Sequence, residues 1–449
     1  MKTLGLAVLL AASAVSSAWA QENVFITNSA AGTVSVADST TNVLLPNLPN
    51  GPNSIAVGAT PTGCISDLSR NLVYVLNSGA TPATVSVINT QTFRVVNTVT
   101  LTSSGSAGGI TMSQDNHFLY IAGRNTVAGE AGVFQIDLNA ATVAGTTGTY
   151  VAGITSTAQA ADCEVLPASV VGGSGSGPGR LYFCVTSTNQ IAAINMLAAP
   201  PTAASLPMPT GAGTPTGPTL MARSPDSTFI LAGANTSATF AMFQVFRINP
   251  GAAPQVDFLT LTGGSMSPQV EDVAFRSLDV VPPFNVFLLG NDVPGRTVNE
   301  FTIGATGAPG ARTGVAVNTG YGLELTYDPS NERLYVSGLG FTAPASYDRY
   351  NVKTPPPSAE ANFNSGGNNP RKFAFAPKPP PPLIDDVTQP AGINSAAFQL
   401  EIRGSGFVPN SSRARVQDNS FGVLTTATTT TVLDSGTILA TFPALTPEI

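Results

Sequence analysis

Histidine and charge are both scarce in this chain. Its 449 residues include a single histidine, His117, and only 10% of them are charged, well below the usual quarter. One histidine excludes metal sites built from several histidines and disfavours a haem held by two. A Ser-His-Asp triad would have to use His117, but this residue follows Asp115-Asn116 at a predicted hairpin turn and no Gly-x-Ser-x-Gly motif is present. We therefore interpret His117 as a solvated turn residue.

Long apolar runs are absent beyond the N-terminus. Residues 1–20 have the pattern of a secretory signal peptide, with Lys2 before an apolar segment and Ala18-Trp19-Ala20 before Gln21. The apolar segment is too short to span a membrane, and no later run of about 18 apolar residues occurs. We therefore expect an exported protein without a transmembrane segment, located in the periplasm, at the cell surface or outside the cell.

Tryptophan and cysteine are rare as well. The only tryptophan, Trp19, leaves with the signal peptide, so the mature protein lacks the usual stacking platform for sugars or quinone cofactors, although Tyr and Phe could substitute. Of the three cysteines, Cys163 and Cys184 fall on neighbouring predicted strands. The expected register places residue 184 opposite residue 162, so Cys163 points to the other face and no disulfide closes. A bridge between these two thiols is the alternative.

Basic residues are too few for a polyanion-binding surface. The chain has 19 basic and 26 acidic residues and a net charge of −7, with neither a basic patch nor a basic stripe. This argues against nucleic acid or an anionic membrane as a partner. Gly, Ser, Thr, Asn and Pro supply the polar surface, while Val, Ile, Leu and Phe are plentiful. The composition is typical of a fold rich in strands and turns.

What the chain has in abundance is one repeated strand signal, Tyr74-Val75-Leu76-Asn77. Degraded copies are centred on Phe25, Tyr74, Tyr120, Tyr182, Ile230, Phe287 and Tyr335, at intervals of 46 to 62 residues. Each unit holds four strand signals, and an Asp or Asn closes the third: Asp38, Asn89, Asp137, Asn195, Asn249 and Asn351. Such a period indicates a β-propeller or a solenoid, because one unit cannot bury its own apolar face.

The two ends of the series favour a ring over a solenoid. The N-terminus enters at a second strand, Val24 to Thr27, whereas an isolated first strand, Arg371 to Ala376, occurs at the far end. A ring whose last blade joins one C-terminal strand to three N-terminal strands accounts for both, and closure removes the open sheet edge. We therefore predict an all-β fold with a seven-bladed β-propeller over residues 21–377.

The unit resembles the YVTN-type β-propeller repeat. Pro61, Gly63, Tyr74, Val75 and Asn77 match that pattern, and the resemblance covers about residues 22–377. It implies the fold but not an activity, because such propellers occur in surface proteins, lactonase-like proteins and redox enzymes.

A second module is expected after the propeller. Residues 378–382 form a proline-rich linker. Beyond it, residues 383–449 resemble an IPT/TIG immunoglobulin-like domain through Ile384-Asp385-Asp386-Val387 and the segment from Leu400 to Phe407. The segment is short for such a sandwich, which leaves open whether a final strand is missing or is supplied otherwise.

Charged residues gather where the predicted first strands begin. First strands line the central channel of a propeller, and the residues near their starts ring one mouth. The candidate site residues at this mouth are Asp162, Glu164, Asp272, Glu324, Arg371 and Lys372. Carboxylates converging from separate blades could bind a hard cation such as Ca²⁺ or act as acid and base. The alternative is a water-filled mouth in which the two cations balance the acids.

Two functional hypotheses account for these features. The leading one is a non-catalytic, monomeric binding or scaffold protein without a cofactor, whose propeller face holds a protein or a cell-envelope polymer. The alternative is a lactonase-like hydrolase that uses the channel carboxylates, with or without a divalent cation. The second requires Asp162, Asp272 and Glu324 to converge within about 5 Å of one point. Pairing of these carboxyls with Arg371 or Lys372 would weigh against it.

Overall fold

The computed structural model describes most of the chain from residue 22 onwards. The described residues are 22–46, 48, 53–209, 217–234, 242–250, 253–262, 269–279, 281–292, 295–304, 309–318, 322–338, 346–355, 357–360, 363–378, 383–388, 398–405, 415–417, 424–434 and 437–442. The predicted signal peptide and residues 379–382 of the predicted linker lie outside them. In these ranges the fold is all-β apart from two short 3-10 turns, Ala168–Val170 and Thr186–Thr188.

The strands follow one another closely along the chain. The first are β1 Glu22–Asn28, β2 Thr33–Asp38, β3 Ser54–Ala56, β4 Pro61–Asp67, β5 Leu72–Asn77, β6 Thr84–Asn89, β7 Arg94–Leu101, β8 Ser104–Met112, β9 Phe118–Asn125, β10 Glu130–Asp137, β11 Thr147–Thr155, β12 Asp162–Pro167, β13 Pro178–Val185, β14 Gln190–Asn195 and β15 Thr202–Ser205. The next are β16 Pro218–Arg223, β17 Ile230–Ala234, β18 Met242–Asn249, β19 Gln255–Thr262, β20 Gln269–Phe275, β21 Phe284–Asp292, β22 Gly295–Ile303, β23 Pro309–Asn318, β24 Gly322–Asp328, β25 Arg333–Gly338, β26 Ser346–Asn351, β27 Ser358–Ala359, β28 Phe363–Asn364 and β29 Pro370–Pro377.

Consecutive strands pair antiparallel in units, such as β12-β13-β14-β15 and β20-β21-β22-β23. The units β4–β7 and β8–β11 are joined into one sheet by parallel pairing of β7 with β11, where Thr100 lies opposite Thr147. The innermost strand of each unit contacts that of the next, and these contacts close a ring through β4, β8, β12, β16, β20, β24 and β29. We call these the first strands. A closed ring of radial antiparallel sheets is a β-propeller.

The ring closes through pairing between the two ends of the propeller region. Strand β29 pairs antiparallel with β1, with Phe373 opposite Ile26, and the sheet runs β29-β1-β2-β3. The pairing of terminal strands expected from the sequence is therefore present. Phe373 and Phe375 of β29 pack in one buried cluster with Val24 of β1 and Tyr335 of β25.

The register of the β12–β13 hairpin agrees with the prediction for the cysteines. Asp162 lies opposite Cys184, and all three cysteines are free and buried. Cys163 packs in the apolar cluster that contains Tyr120, whereas Cys184 packs in the cluster that contains Tyr182. The two thiols therefore lie on opposite faces of their sheet.

Five of the six Asp and Asn residues predicted at the ends of third strands make the expected local turns, and for the sixth, Asn249, the turn continues into residues outside the described ranges. The side-chain Oδ1 accepts a hydrogen bond from the main-chain N–H two residues later at Asp38, Asn89, Asp137, Asn195 and Asn351. Each of these bonds satisfies a main-chain donor where the strand ends.

A further group of strands follows the propeller. They are β30 Leu383–Thr388, β31 Phe398–Ser405, β32 Arg415–Gln417, β33 Leu424–Thr426, β34 Thr429–Asp434 and β35 Thr437–Phe442. One sheet has the order β30-β31-β35-β34, and β32 pairs with β33. Nowhere in the described ranges is there a helix long and apolar enough to cross a membrane.

Candidate functional site

The first strands surround a central cavity of about 720 Å³. All of them contribute to its wall, because each runs along the propeller axis with one edge facing inward. Its charged lining residues are Asp162, Glu164, Arg223, Glu324 and Lys372. Four of these belong to the set predicted from the sequence.

Two of the predicted acids connect neighbouring first strands. Asp162 accepts a hydrogen bond on Oδ1 from its neighbour's N–H, that of Cys163, at 2.9 Å, and on Oδ2 from the N–H of Met221 at 2.7 Å. Asp272 repeats the arrangement with the N–H groups of Val273 at 2.7 Å and Leu325 at 2.6 Å. The Asp162 carboxylate therefore links β12 to β16, and the Asp272 carboxylate links β20 to β24. Both oxygens of each carboxylate have a structural role.

Burial dominates the electrostatics of Asp162. It raises the pKa of this carboxyl to about 8, although the N–H of Met221 and the charge of Lys372 act in the opposite direction. The nearby charge of Glu164 adds to the increase, because like charges disfavour ionisation.

Lys372 lies at the centre of the acidic group. Its Nζ is 2.7 Å from Oδ2 of Asp272, 3.4 Å from Oε2 of Glu324 and 3.3 Å from the carbonyl oxygen of Leu325. Burial acts to lower the pKa of Lys372, but the charges of Asp272 and Glu324 outweigh it and the pKa is raised. The main chain of Lys372 is held by Thr27, whose Oγ1 accepts from its N–H at 3.0 Å. Closure of the ring therefore places this cation.

Two further predicted residues, Glu324 and Arg371, interact with each other at longer range. Burial raises the pKa of Glu324, whose Oε1 lies 4.0 Å from Nη1 of Arg371. The structure thus brings Asp272, Glu324 and Lys372 together, while Asp162 is held by backbone groups. The pairing of Asp272 and Glu324 with Lys372 weighs against the use of these two acids as the acid and base that the sequence suggested. Among the residues that the structure describes, no group of three or more His, Cys, Asp or Glu is arranged to hold a metal ion.

A second polar group surrounds Glu164. Its Oε2 accepts a hydrogen bond from Oγ1 of Thr111 at 3.0 Å. Burial raises the pKa of Glu164, and the charge of Arg223 and the Thr111 hydroxyl partly offset the increase. Nη1 of Arg223 donates to the carbonyl oxygen of Val165 at 2.8 Å, which fixes the guanidinium beside β12. Three successive first strands, β8, β12 and β16, therefore build this group.

Sequence reasoning missed Thr111 and Arg223. Both lie opposite the first residue of the repeated strand signal, as Glu164 does: Thr111 opposite Tyr120, Glu164 opposite Tyr182 and Arg223 opposite Ile230. Alignment of the units by hairpin register, instead of by strand starts, would have placed the three in one layer. His117 is exposed in its turn, with Nδ1 3.4 Å from Oδ2 of Asp115, and it does not line the channel.

No protein-family model matches the chain, and no curated protein matches it at a significant level. Solved structures with a similar fold include a putative 6-phosphogluconolactonase from Bacteroides uniformis, with a TM-score of 0.58, 14% identity, and coverage of 79% of this chain and 99% of that chain. A second from Bacteroides fragilis has a TM-score of 0.56, 14% identity, and coverage of 79% and 98%. The periplasmic gluconolactonase of Pseudomonas aeruginosa has a TM-score of 0.57, 14% identity, and coverage of 79% and 98%. At this identity the likeness shows the β-propeller fold.

These comparisons contradict the leading functional hypothesis. A non-catalytic binding or scaffold protein was expected because the usual catalytic residues are absent from the sequence. The similar solved structures are described instead as lactonases, and they favour the alternative hypothesis. The expectation was wrong because it considered only nucleophiles and histidines as signs of catalysis. Ester hydrolysis by an activated water needs only a positioned base and a cation.

Proposed function

We propose that this protein is a lactonase-like hydrolase that opens a small lactone inside the central channel. The observation that carries the proposal is Glu164, a half-buried carboxylate hydrogen-bonded to Thr111 at 3.0 Å with the charge of Arg223 beside it, on the wall of a cavity of about 720 Å³. The likeness to lactonase structures over 79% of the chain supports it.

Glu164 is the acid best suited to be the general base. Asp162 uses both oxygens on main-chain N–H groups, and Asp272 does the same while also meeting Lys372. Glu324 faces the ammonium of Lys372. The side-chain hydrogen bond to Glu164 comes from a neutral hydroxyl, and the raised pKa of Glu164 brings its basicity closer to that needed near neutral pH.

The reaction needs one proton carrier and one cation. Glu164 takes a proton from a water molecule whose oxygen forms a bond to the lactone carbonyl carbon. The negative charge that develops on the carbonyl oxygen is stabilised by the guanidinium of Arg223. The ring C–O bond then breaks, and the leaving ring oxygen receives the proton back from Glu164. The product is an open-chain hydroxy acid.

In this proposal Lys372 takes the place of the divalent cation considered from the sequence. Its ammonium lies between Asp272 and Glu324, where a cation shared by the two carboxylates would lie. We expect hydrolysis to persist in EDTA and to be unchanged by added Ca²⁺. Loss of activity in EDTA and its recovery with Ca²⁺ would contradict this.

The decisive variant is Glu164→Gln. Removal of a general base lowers kcat by about 10²–10⁴-fold, measured by proton release on a panel of aldonolactones. Glu130→Gln is the matched control, because Glu130 lies on the third strand β10 and contacts Tyr150 at 2.8 Å, outside the channel lining. We expect the control to keep wild-type activity. Full activity in Glu164→Gln, or no hydrolysis of any lactone by the wild-type protein, would refute the proposal.

The same proposal includes the finer architecture expected from the sequence. We propose a seven-bladed YVTN-type propeller over residues 21–377, preceded by a cleaved signal peptide and followed by the linker 378–382 and an IPT/TIG domain. The closed ring of first strands and the sheet β30-β31-β35-β34 support it, and the periplasmic location of the Pseudomonas aeruginosa protein supports export. Mass spectrometry of the exported protein should give an N-terminus at Gln21, and an intact Met1 would contradict export by cleavage.

A further inference from the structure

The cations of the channel are neutralised by the protein itself. Lys372 contacts both Asp272 and Glu324, and Arg223 donates to Val165 and faces the charge of Glu164. The charged lining residues are three carboxyls and two cations, and even with Asp162 protonated, since its pKa is raised to about 8, the two other acids balance the two cations. A ligand entering the channel therefore meets no excess of positive charge.

We infer that the channel takes an uncharged polyhydroxy lactone and excludes one that carries a phosphate ester. This inference rests on the proposed function and adds the substrate class. A phosphate monoester carries a charge of about −1.5 to −2 near neutral pH. Its recognition requires unpaired Arg or Lys side chains or several free backbone N–H groups. Here Lys372 is already paired with Asp272 and Glu324, and Arg223 donates to the carbonyl oxygen of Val165 beside the charge of Glu164, so neither is free to balance a second full negative charge.

The hydroxyl groups of such a lactone have partners in the wall. Oγ1 of Thr62 and Oγ1 of Thr326 are buried and have no hydrogen-bond partner within the described part of the chain, and both residues line the channel. A hydroxyl can donate and accept, so it suits another hydroxyl as well as an amide or water. The two threonines come from β4 and β24 and face the cavity from different blades.

Glu324 is the residue that sets this selectivity. Its carboxyl shares the ammonium of Lys372 with Asp272, and Asp272 also holds the N–H of Leu325. Glu324→Gln removes one of the two opposing charges and leaves the Asp272 contact in place. Nη1 of Arg371 lies 4.0 Å from Glu324, so the group of Asp272, Glu324, Arg371 and Lys372 changes from a net charge of zero to +1.

Kinetics with paired substrates test the inference. The mature full-length protein is assayed with glucono-δ-lactone and with its 6-phosphate under one set of conditions. We expect kcat/KM to be at least about tenfold lower for the phosphorylated lactone, because like charges are repelled from a desolvated site. In Glu324→Gln the ratio of kcat/KM for the unphosphorylated lactone to kcat/KM for the phosphorylated lactone should fall severalfold, because the phosphorylated substrate is turned over faster. An equal or higher kcat/KM for the phosphorylated lactone in the wild-type protein would overturn the inference.

A binding measurement separates failure of the inference from failure of the proposed function. Inorganic phosphate is titrated against the wild-type protein, Glu324→Gln and the third-strand control Glu130→Gln, with ³¹P line broadening and thermal stability as readouts. We expect binding to Glu324→Gln alone. If neither lactone is hydrolysed, the proposed function fails, and the phosphate titration still decides the charge selectivity. If phosphate binds to the wild-type protein and Lys372→Met abolishes this binding, the inference that the channel excludes a phosphate ester is overturned.

Discussion

The two sides of the central channel are built differently. On one side, β12 and β24 contribute acids and β16 and β29 contribute cations, whereas β4 and β8 contribute no charged side chain to the lining. Gly109 of β8 occupies the position that Asp162 occupies in β12. A Cβ added to Gly109 would lie 1.5 Å from Oδ1 of Asp162. Asp162 on the charged side can therefore keep its position only because Gly109 on the uncharged side has no side chain.

The two sides also hold their blades together by different means. On the charged side, Asp162 and Asp272 each accept an N–H from the next first strand, and Lys372 reaches Asp272 from β29. On the uncharged side, Leu76 and Ile110 pack in one apolar cluster. Charged hydrogen bonds give direction and position, whereas apolar packing tolerates small shifts. The difference explains why the proposed chemistry lies on the charged side.

Removal of β29 should have the largest effect, because it disrupts both the charged side of the channel and the closure of the ring. Truncation after Gly366 deletes Lys372 from the charged side and also Phe373 and Phe375, which lie in the buried cluster with Val24. The loss of these two aromatic side chains alone costs about 3–6 kcal/mol, a large part of the net stability of a domain. We expect an aggregating or protease-sensitive protein, detected by limited proteolysis and thermal unfolding.

Truncation after Pro382 is the control for that experiment. It removes only the strands from β30 onwards and keeps the pairing of β29 with β1. This shorter chain should stay soluble and fold as the propeller. A chain ending at Gly366 that melts like the control would refute the role of β29 in closure.

The glycine on the uncharged side offers a sharper test. Gly109→Ala places a methyl group against Asp162, at 3.0 Å from its Cα as well as near its carboxylate, so Oδ1 must move away from the N–H of Cys163 and the carboxylate that also holds Met221 must shift. Overpacking of this kind costs about 1–3 kcal/mol, measured by chemical denaturation. Gly177→Ala is the matched control, since its added methyl would meet only Oδ2 of Asp115, at 3.6 Å. Its effect should stay within about 0.5 kcal/mol. Equal stability of the two variants would show that β8 does not need a glycine there.

The pH dependence of hydrolysis tests the assignment of the base on the charged side. Burial raises the pKa of Glu164 above its usual value of 4.5. The base must be ionised to accept a proton, so activity is low below this raised pKa and increases as the pH rises through it. The acidic limb of kcat/KM should therefore have its midpoint above pH 4.5. A limb at or below that value, or the same limb in Glu164→Gln, would contradict the assignment.

The smallest effect is expected when β8 loses the hydroxyl group that hydrogen-bonds to the proposed base, Glu164. Thr111→Val removes the hydroxyl that donates to Glu164 at 3.0 Å. This hydrogen bond lowers the pKa of the carboxyl, so its loss should move the acidic limb to higher pH. A hydrogen bond worth about 1–1.5 kcal/mol corresponds to roughly a five- to tenfold lower kcat/KM. The control is Thr98→Val, exposed on the outer strand β7. A lower rate without a shifted limb would indicate a merely structural role for Thr111.

Much of the candidate site could be predicted, but its internal roles could not. The repeat located the first strands, and four of the six predicted residues line the cavity. The sequence could not distinguish the structural acid Asp162 from the more available Glu164, two residues later. That distinction depends on Met221 and Thr111, which come from neighbouring blades. Arg223 was missed because β16 has a register shift between Pro218 and Met221, so counting from the strand start does not align it with Glu164.

The sequence by itself determined the strands, the ring and its closure, because a periodic apolar pattern and an unmatched strand at each end have one arrangement that buries them all. It also favoured unpaired Cys163 and Cys184, since strand alternation puts them on opposite faces, and the structure shows both thiols free. Only the tertiary structure decided the partner of each charge. Lys372 reaches Asp272 across an interval of 100 residues, and the pKa of each acid depends on burial and on charges that other blades supply.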